Sequence, residues 1–128
     1  MNPDQTERYS RQIKLPQVGQ IGQQQLLDAR VLIIGMGGLG SPVSMYLAAA
    51  GVGHLVISDY DRVDESNLQR QIVHTQASIN ELKATSARDT LLRLNPAVSV
   101  DALNYELDDE ELREQVTQAN VVVDCTDN

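Results

Sequence analysis

A glycine-rich turn between a buried strand and a helix constrains this chain more than any other feature. Residues 31–34 are branched apolar residues, a run typical of a strand buried on both faces of a parallel sheet. The turn follows at once, with the sequence Gly35-Met36-Gly37-Gly38-Leu39-Gly40. Residues 41–50 then carry apolar side chains at helical spacing, with Pro42 near the start and Gly51 just past the end. This order matches the dinucleotide-binding fingerprint, in which glycines allow a tight turn and the close approach of a phosphate.

The rest of the chain continues the alternation of strands and helices. Apolar patterns predict strands at 55–58, 98–103 and 121–123, and helices at 80–94 and about 108–118. Residues 1–29 are polar and rich in Gln, and we expect them to form short helices outside the core. We therefore predict an α/β fold, a Rossmann-like, doubly wound and mainly parallel sheet, with a short helical N-terminal arm at 1–29 and the main domain at 30–128.

Composition excludes several classes of protein. The 128 residues contain 10 Lys+Arg against 18 Asp+Glu, which gives a net charge of −8, and only 3% are aromatic. Such a chain lacks the basic surface and the stacking side chains of nucleic-acid-binding proteins. Its apolar runs are far shorter than the roughly 20 residues of a membrane span, and its first residues do not resemble a signal peptide. We expect a cytoplasmic domain with neither nucleic acid nor membrane as partner.

The single cysteine carries little chemistry in this sequence. Cys125 is the only cysteine, so it cannot form an internal disulfide or supply a multi-thiolate metal site. It alternates with the valines of the last predicted strand, which we expect to be buried. A small core residue is therefore the simplest interpretation of Cys125.

An acidic residue follows the second predicted strand at a distance that indicates nucleotide binding. Asp59 lies 24 positions after Gly35, near the roughly 20 residues at which a Rossmann fold places the acid that binds ribose hydroxyls. Asp61 is a weaker candidate beside it. The N-terminus of the helix after the turn would offer unpaired N–H groups to a phosphate. The predicted nucleotide-binding residues are therefore Gly35, Gly37, Gly38, Gly40, Asp59 and Asp61.

The same turn nearly matches the Walker A frame, except that no lysine precedes Ser41. A bound triphosphate would then need cations from elsewhere, whereas a dinucleotide pyrophosphate could be held by backbone N–H groups alone. The candidate cations near the predicted crevice are Arg70 and Lys83, together with Arg8, Arg11 and Lys14 in the arm. Any one of them alone is more typical of a solvated surface charge.

The segment after the fourth strand completes the predicted crevice. It has the sequence Asp124-Cys125-Thr126-Asp127-Asn128. In a doubly wound sheet the first and fourth strands are neighbours, so this segment should face the glycine turn. A carboxylate there, beside a triphosphate, is well placed to hold Mg²⁺, which binds through one or two carboxylates and phosphate oxygens.

Taken together, these motifs resemble the ThiF/MoeB/HesA family, the bacterial relatives of ubiquitin-activating enzymes. The resemblance covers nearly the whole chain and depends most on Ser66-Asn67-Leu68-Gln69-Arg70-Gln71 and on residues 124–128, with Arg8-Tyr9-Ser10-Arg11-Gln12 in the arm. It implies an adenylyltransferase that binds ATP and Mg²⁺. Its substrate would be the C-terminal glycine carboxylate of a ubiquitin-like sulfur-carrier protein of thiamine or molybdopterin biosynthesis, activated as an acyl-adenylate.

The resemblance also implies roles for single residues. Gly38 would approach the phosphates and Asp59 would bind the ribose, while Asp127 would support the metal and, with Asn128, belong to the nucleotide site. The implied catalytic cations are Arg70 and Lys83, which with Asn67 contact the phosphates, and Arg11, which would reach the triphosphate of the other subunit in a homodimer. These roles fit the chemistry, because nucleotidyl transfer depends on positioning and on neutralising charge on phosphate oxygens.

Two alternatives stay open at the level of sequence. Family members are about twice as long as this chain, so we expect a truncated N-terminal half, with the family's structural zinc only in the half that is missing. The chain would then be a non-catalytic nucleotide-binding fragment if it turns nothing over by itself.

An NAD-dependent oxidoreductase domain would share the glycine turn and Asp59, but it gives no reason for Arg70, Lys83 and Asp127 to converge. The motifs do not separate a thiamine carrier from a molybdopterin carrier.

Overall fold

The computed structural model describes residues 1–126, which form a parallel four-stranded sheet with helices packed against it. The strands are β1 (Arg30–Ile34), β2 (His54–Ser58), β3 (Ser99–Leu103) and β4 (Val121–Asp124). The helices are α1 (Pro3–Arg8), α2 (Ser10–Ile13), α3 (Gly19–Asp28), α4 (Gly40–Ala50), α5 (Lys83–Leu94) and α6 (Asp109–Gln118), with short 3-10 turns at Glu65–Asn67 and Gln76–Ser78. None of the helices within residues 1–126 is long and apolar enough to cross a membrane.

The strand order confirms the predicted α/β, doubly wound architecture. The sheet runs β3-β2-β1-β4, and each neighbouring pair is parallel. The order therefore reverses between β1 and β4, which is where a doubly wound sheet opens a crevice at the carboxyl ends of its strands. This reversal places the glycine turn after β1 beside the segment that follows β4.

Burial separates the central strands from the edge strand β4. Leu32 and Ile33 of β1 and Val56 and Ile57 of β2 are fully or almost fully buried, although successive side chains in a strand point to opposite faces. The prediction of a strand buried on both faces is therefore confirmed for β1. It is wrong for β4, where Val121 and Val122 are 53% and 39% exposed. The difference arises because, within the described residues, no helix packs closely on β4, whereas α5 packs on the other edge strand, β3.

The long helix α5 begins at Lys83, so the predicted helix at 80–94 is wrong over its first three residues. Asn80 has a left-handed backbone with φ 74°, and Leu82 is extended and forms an antiparallel bridge with Arg62. The backbone N–H of Lys83 donates to the carbonyl of Asp61 at 2.8 Å. The late start therefore fixes the first residue of α5 against the end of β2.

The N-terminal helices contribute to the interior, contrary to the expectation that they lie outside the core. Tyr9 is only 1% exposed, and its ring lies so close to Gly51 that a Cβ there would be 2.6 Å from it. The Tyr9 hydroxyl accepts a hydrogen bond from Asn95 at 2.8 Å. Gln23 is also buried and donates to the carbonyl of Ala50 at 3.0 Å. A division of the chain at residue 30 stays a prediction.

Candidate functional site

The carboxyl ends of β1, β2 and β4 open into a cavity of about 340 Å³. Its walls include Gly35, Gly37, Asp59, Asp61, Lys83, Cys125 and Thr126, with Glu106, Leu107 and Leu112 on the side of α6. The structure therefore confirms that the glycine turn, the end of β2 and the segment after β4 face one crevice. It also brings the predicted cation Lys83 into the same space.

Two glycines of the turn are required by close packing. Gly35 has φ 95°, and a Cβ on it would lie 2.8 Å from the carbonyl oxygen of Cys125. A Cβ on Gly40 would collide with the carbonyl oxygen of Gly35. Side chains rarely adopt the first conformation and cannot occupy the second position, so glycine is the residue that permits this turn. The first glycine lets the end of β4 approach, and the last lets α4 begin against β1.

The turn presents backbone donors without acceptors. Among residues 1–126, the N–H groups of Gly37, Gly38 and Leu39 have no hydrogen-bond acceptor. They lead directly into the N-terminus of α4, where the helix dipole adds a partial positive charge. The hydroxyl of Ser41, in the first turn of α4, is buried and also lacks a partner within the described residues. Unpaired donors at a helix N-terminus form a ready site for an anion.

The carboxylate of Asp59 is held between the turn and the end of β2. Its Oδ2 accepts from the N–H of Met36 at 2.7 Å, and its Oδ1 accepts from the N–H of Asp61 at 2.8 Å. A carboxylate oxygen can accept more than one hydrogen bond, so both oxygens keep capacity for hydroxyl donors. The carboxylate is therefore fixed in position and still able to bind a ligand that enters the cavity.

Lys83 is a buried cation that has no partner within the described residues. The residue is only 8% exposed, yet its ammonium makes no hydrogen bond or ion pair with any side chain of residues 1–126. The residue lines the wall of the cavity, where an anionic ligand would give the ammonium a direct partner.

Arg70 and Asn67 lie beside the turn rather than in the wall of the cavity. A Cβ on Gly38 would be 3.8 Å from Cδ of Arg70, so this exposed arginine lies along the turn. The Oδ1 atom of Asn67 accepts from the N–H of Asp64 at 3.3 Å, which leaves the side-chain nitrogen available. Arg70 is therefore near the turn, with Nη1 of its guanidinium 3.5 Å from the carbonyl oxygen of Ser66, while Asn67 lies one helical turn before it in the same segment.

Arg11 lies far from the glycine turn of its own chain. It is exposed on α2, and the next residue, Gln12, donates to the carbonyl of Ala50 at 3.0 Å. Ala50 is the last residue of α4, whereas the glycine turn precedes the first, so helical rise separates them by roughly 15 Å. The structure therefore does not bring Arg11 to the cavity of the same chain.

The predicted metal residue cannot be located. Asp127 and Asn128 lie outside the described residues, and the predictions for both stay predictions. Within residues 1–126, no group of three His, Cys, Asp or Glu side chains is arranged to hold a metal ion. Thr126, the last described residue, lines the cavity.

Residues 9–128 match the model of the ThiF family. This chain belongs to the ThiF family. The chain is 51% identical over 128 residues to the sulfur carrier protein ThiS adenylyltransferase of Escherichia coli and covers 51% of that protein. It is 50% identical over 121 residues to the molybdopterin-synthase adenylyltransferase of E. coli, matching 94% of this chain and 49% of the relative. The chain therefore spans about half the length of these relatives.

A solved structure shares the fold of this ThiF-family chain. The crystal structure of E. coli MccB with ATP superposes with a TM-score of 0.77 at 29% sequence identity. The match covers 90% of this chain and 35% of that protein. The resemblance stated from the motifs is thus confirmed at the level of family and fold.

His74 is a buried residue of this ThiF-family site that sequence reasoning missed. It is 4% exposed, with Nε2 3.0 Å from the carbonyl oxygen of Met36 and Nδ1 2.8 Å from Oγ of Ser86. Burial lowers the pKa of His74 and so does the charge of Lys83, while the Met36 hydrogen bond and Asp59 act in the opposite direction. No periodic signal could have identified His74, because it lies in an irregular segment between β2 and α5.

Cys125 is a buried part of the ThiF-family fold, as predicted. The residue is buried in the wall of the cavity, and its backbone N–H donates to the carbonyl of Ile34 at 2.7 Å. Burial raises the pKa of the Cys125 thiol, and the nearby Asp124 adds to that effect. A thiol with a raised pKa is a poor nucleophile near neutral pH, which supports a packing role.

Proposed function

We propose that this chain binds Mg·ATP at the carboxyl end of its sheet, as the nucleotide-binding part of an adenylyltransferase for a ubiquitin-like sulfur-carrier protein. The observation that carries the proposal is that one cavity is lined both by the glycine turn, which has unpaired N–H groups, and by Lys83, whose ammonium has no hydrogen-bond or ion-pair partner within the described residues. The family and the names of its relatives support the reaction class. The proposed location of the reaction is the cytoplasm.

The charge of the site supports a triphosphate over a dinucleotide. Backbone N–H groups at the N-terminus of α4 are sufficient for a pyrophosphate. They do not explain why Lys83, with no hydrogen-bond or ion-pair partner within the described residues, lines the same cavity as Asp59. A triphosphate carries more charge than a dinucleotide pyrophosphate and would make use of this additional cation. We therefore favour ATP over NAD as the ligand.

The remaining roles follow from position. Gly35, Gly37, Gly38 and Gly40 would form the phosphate turn, and Asp59 would accept from the ribose hydroxyls, with Asp61 beside it. Arg70 would fold over the phosphates from its place along Gly38, and the side-chain nitrogen of Asn67 would donate to them. Asp127, one residue after Thr126, and Asn128 would complete the site. Asp127 would hold Mg²⁺, which neutralises charge on the phosphate oxygens.

The proposed reaction needs positioning and charge neutralisation rather than a base. The C-terminal carboxylate of the carrier attacks the α-phosphorus of ATP, and the bond from that phosphorus to the bridging oxygen breaks. Pyrophosphate leaves with the electron pair, and the carrier keeps an acyl-adenylate. The attacking carboxylate is already ionised near neutral pH, so no proton is removed. Lys83 and Arg70 would stabilise the charge that develops on phosphate oxygens.

Arg11 would act across a homodimer. It lies roughly 15 Å along α4 from the glycine turn of its own chain, beyond the reach of one side chain. The proposed contact with the triphosphate therefore requires a second copy of the chain. The two relatives, at 51% and 50% identity, do not separate a thiamine carrier from a molybdopterin carrier.

The test is exchange of labelled pyrophosphate into ATP. Because the chain covers only 51% of the E. coli ThiS adenylyltransferase, residues 1–128 are joined to the second half of that protein. We expect exchange with a carrier that ends in a free glycine carboxylate and none with the same carrier amidated at its C-terminus. Two results would contradict the proposed function: equal exchange with the free and the amidated carrier, or no exchange under conditions in which the E. coli enzyme is active.

A further inference from the structure

His74 connects the two parts of the proposed phosphate site. Its ring lies between the glycine turn, through the carbonyl of Met36 at 3.0 Å, and α5, through the hydroxyl of Ser86 at 2.8 Å. The segment that carries it is fixed to α5 a second time, because the hydroxyl of Thr90 donates to the carbonyl of Val73 at 2.6 Å. A buried ring held at both nitrogens has little freedom to move.

The bond to Met36 sets the direction of the first unpaired donor. Met36 and Gly37 share a planar trans peptide group, so the N–H of Gly37 points opposite to the carbonyl of Met36. That carbonyl points inward to the buried His74. The N–H of Gly37 therefore points away from His74, and Gly37 itself lines the cavity. The N–H of Met36 itself is held by Asp59 at 2.7 Å, which fixes the preceding peptide group.

The bond to Ser86 connects the same ring to the helix that carries Lys83. Ser86 lies three positions after Lys83, so both residues are on one side of the first turn of α5. The ring is therefore one of two links between the turn and the start of α5, and the other runs from Met36 through Asp59 and Asp61 to the backbone N–H of Lys83. A carbonyl can only accept, so Nε2 must carry the proton, and in the neutral ring Nδ1 accepts from the Ser86 hydroxyl.

We propose that His74 is a positioning residue that directs the N–H of Gly37 toward the cavity and holds it in register with Lys83. This inference rests on the proposed function, since the ligand it prepares for is the triphosphate of ATP. His74 touches neither the cavity nor the ligand, and it acts through Met36 and Ser86.

Two variants of similar size separate this role from simple packing. In His74→Gln the side-chain nitrogen lies near the position of Nε2 and retains a donor for Met36. In His74→Asn it lies near the position of Nδ1 and leaves the Met36 carbonyl without a donor. Both lose the ring to a similar degree, so a packing role predicts similar damage in both. We expect Mg·ATP to bind His74→Asn about tenfold more weakly and His74→Gln within about threefold of the parent, as expected for one hydrogen bond.

A second measurement needs no nucleotide. Nitrogen-15 NMR of the 128-residue chain reports the protonated ring nitrogen of His74 and the amide resonance of Gly37, which shares a peptide group with the Met36 carbonyl. We expect a proton on Nε2, a Gly37 amide that shifts in His74→Asn, and a return toward the parent position in His74→Gln. His54, the other histidine, serves as the internal reference, with a His54→Gln variant to assign the signals.

The outcomes distinguish this inference from the proposed function. A proton on Nδ1 alone, or equal effects of His74→Asn and His74→Gln on the Gly37 amide, would overturn the role of His74. Failure of the unaltered chain to bind Mg·ATP would instead contradict the proposed function. It would also overturn the inference, since no triphosphate would remain to be positioned. Rescue by Gln of both the amide resonance and the ATP affinity would establish the role.

Discussion

The polar groups at the two ends of the sheet differ in whether they have hydrogen-bond partners. Arg30 and His54, the first residues of β1 and β2, bond to each other and to Asp101 of β3 and Gln115 of α6: His54 to Asp101 at 2.8 Å, and Arg30 to the His54 ring at 3.1 Å and to Gln115 at 3.3 Å. At the carboxyl ends, the turn N–H groups and the Lys83 ammonium have no partner within residues 1–126. The first group is therefore largely satisfied, with only Nε of Arg30 left without a partner within the described residues, whereas the second group is not.

This difference separates stability from function. Polar groups that bond to each other hold a fold and leave little for a ligand. Buried groups without partners cost stability and are retained where a ligand supplies the missing bonds. Changes at the carboxyl end should therefore alter nucleotide binding, and changes at the amino end should alter stability alone.

The largest expected effect comes from the glycine that starts α4. Gly40→Ala should lower the free energy of unfolding by about 3 kcal/mol, because its Cβ would collide with the backbone oxygen of Gly35. Chemical denaturation measures the change. Gly38→Ala is the matched control: its Cβ would meet only Arg70, at 3.8 Å, so the stability should change by less than about 1 kcal/mol. If both variants are equally stable, the close packing of the turn is not what requires glycine at position 40.

Lys83→Met should separate binding from stability. The ammonium makes no bond within the described residues, so its loss should leave the free energy of unfolding unchanged or higher. Affinity for Mg·ATP should fall roughly thirtyfold, which corresponds to about 2 kcal/mol for hydrogen bonds to a charged group. Calorimetric titration and thermal unfolding measure the two quantities. Lys14→Met, on the exposed arm, controls for the change in net charge. A Lys83→Met protein that unfolds more easily but binds ATP normally would show that Lys83 serves stability rather than nucleotide binding.

The pH dependence of stability should identify the buried His74. Its pKa is lowered from 6.5, chiefly by burial, so the unfolded chain binds a proton that the folded chain does not. The free energy of unfolding should therefore fall as the pH drops below about 6.5, by at most about 1.4 kcal/mol per pH unit, until the lowered pKa is reached. Denaturation at pH 5 to 8 measures this slope.

His74→Gln should remove that slope, while His54→Gln should leave it in place. The carboxylates with lowered pKa values act in a different range: hydrogen bonds from Ser66 lower the pKa of Asp64, and bonds from Thr126 lower that of Asp124, both from 3.8. Their contribution to stability is present above about pH 4 and is lost below it. A slope between pH 5 and 6.5 that survives His74→Gln would contradict the account of His74.

The smallest expected effect lies at the amino end. Asp101→Asn removes the carboxylate that contacts the His54 ring, but the two side chains are 56% and 32% exposed, so the loss should be about 0.5 kcal/mol. Affinity for Mg·ATP should not change, since the cluster lies at the opposite end of the sheet. Thermal unfolding and titration on the same sample check both expectations. An altered ATP affinity would break the separation between the two ends.

The features that the sequence predicted depend on contacts between residues close together in the chain, and the features that it missed depend on contacts between distant residues. The turn from Gly35 to Gly40 and the acid at Asp59 were predictable, because a local motif and a spacing along one βα unit determine them. The burial of Tyr9 depends on Asn95, 86 positions away, and the role of His74 depends on Met36, 38 positions away. The late start of α5 depends on the pairing of Leu82 with Arg62. Such long-range contacts leave no periodic pattern in the chain.

The central claim is that the carboxyl end of the sheet is built for a triphosphate. The most direct test is calorimetric titration of the 128-residue chain with Mg·ATP and with NAD, each repeated on Lys83→Met. We predict that the chain binds Mg·ATP at least about tenfold more tightly than NAD and that Lys83→Met removes most of this preference. Binding of NAD as tight as that of ATP, or an ATP preference that Lys83→Met leaves intact, would contradict the account.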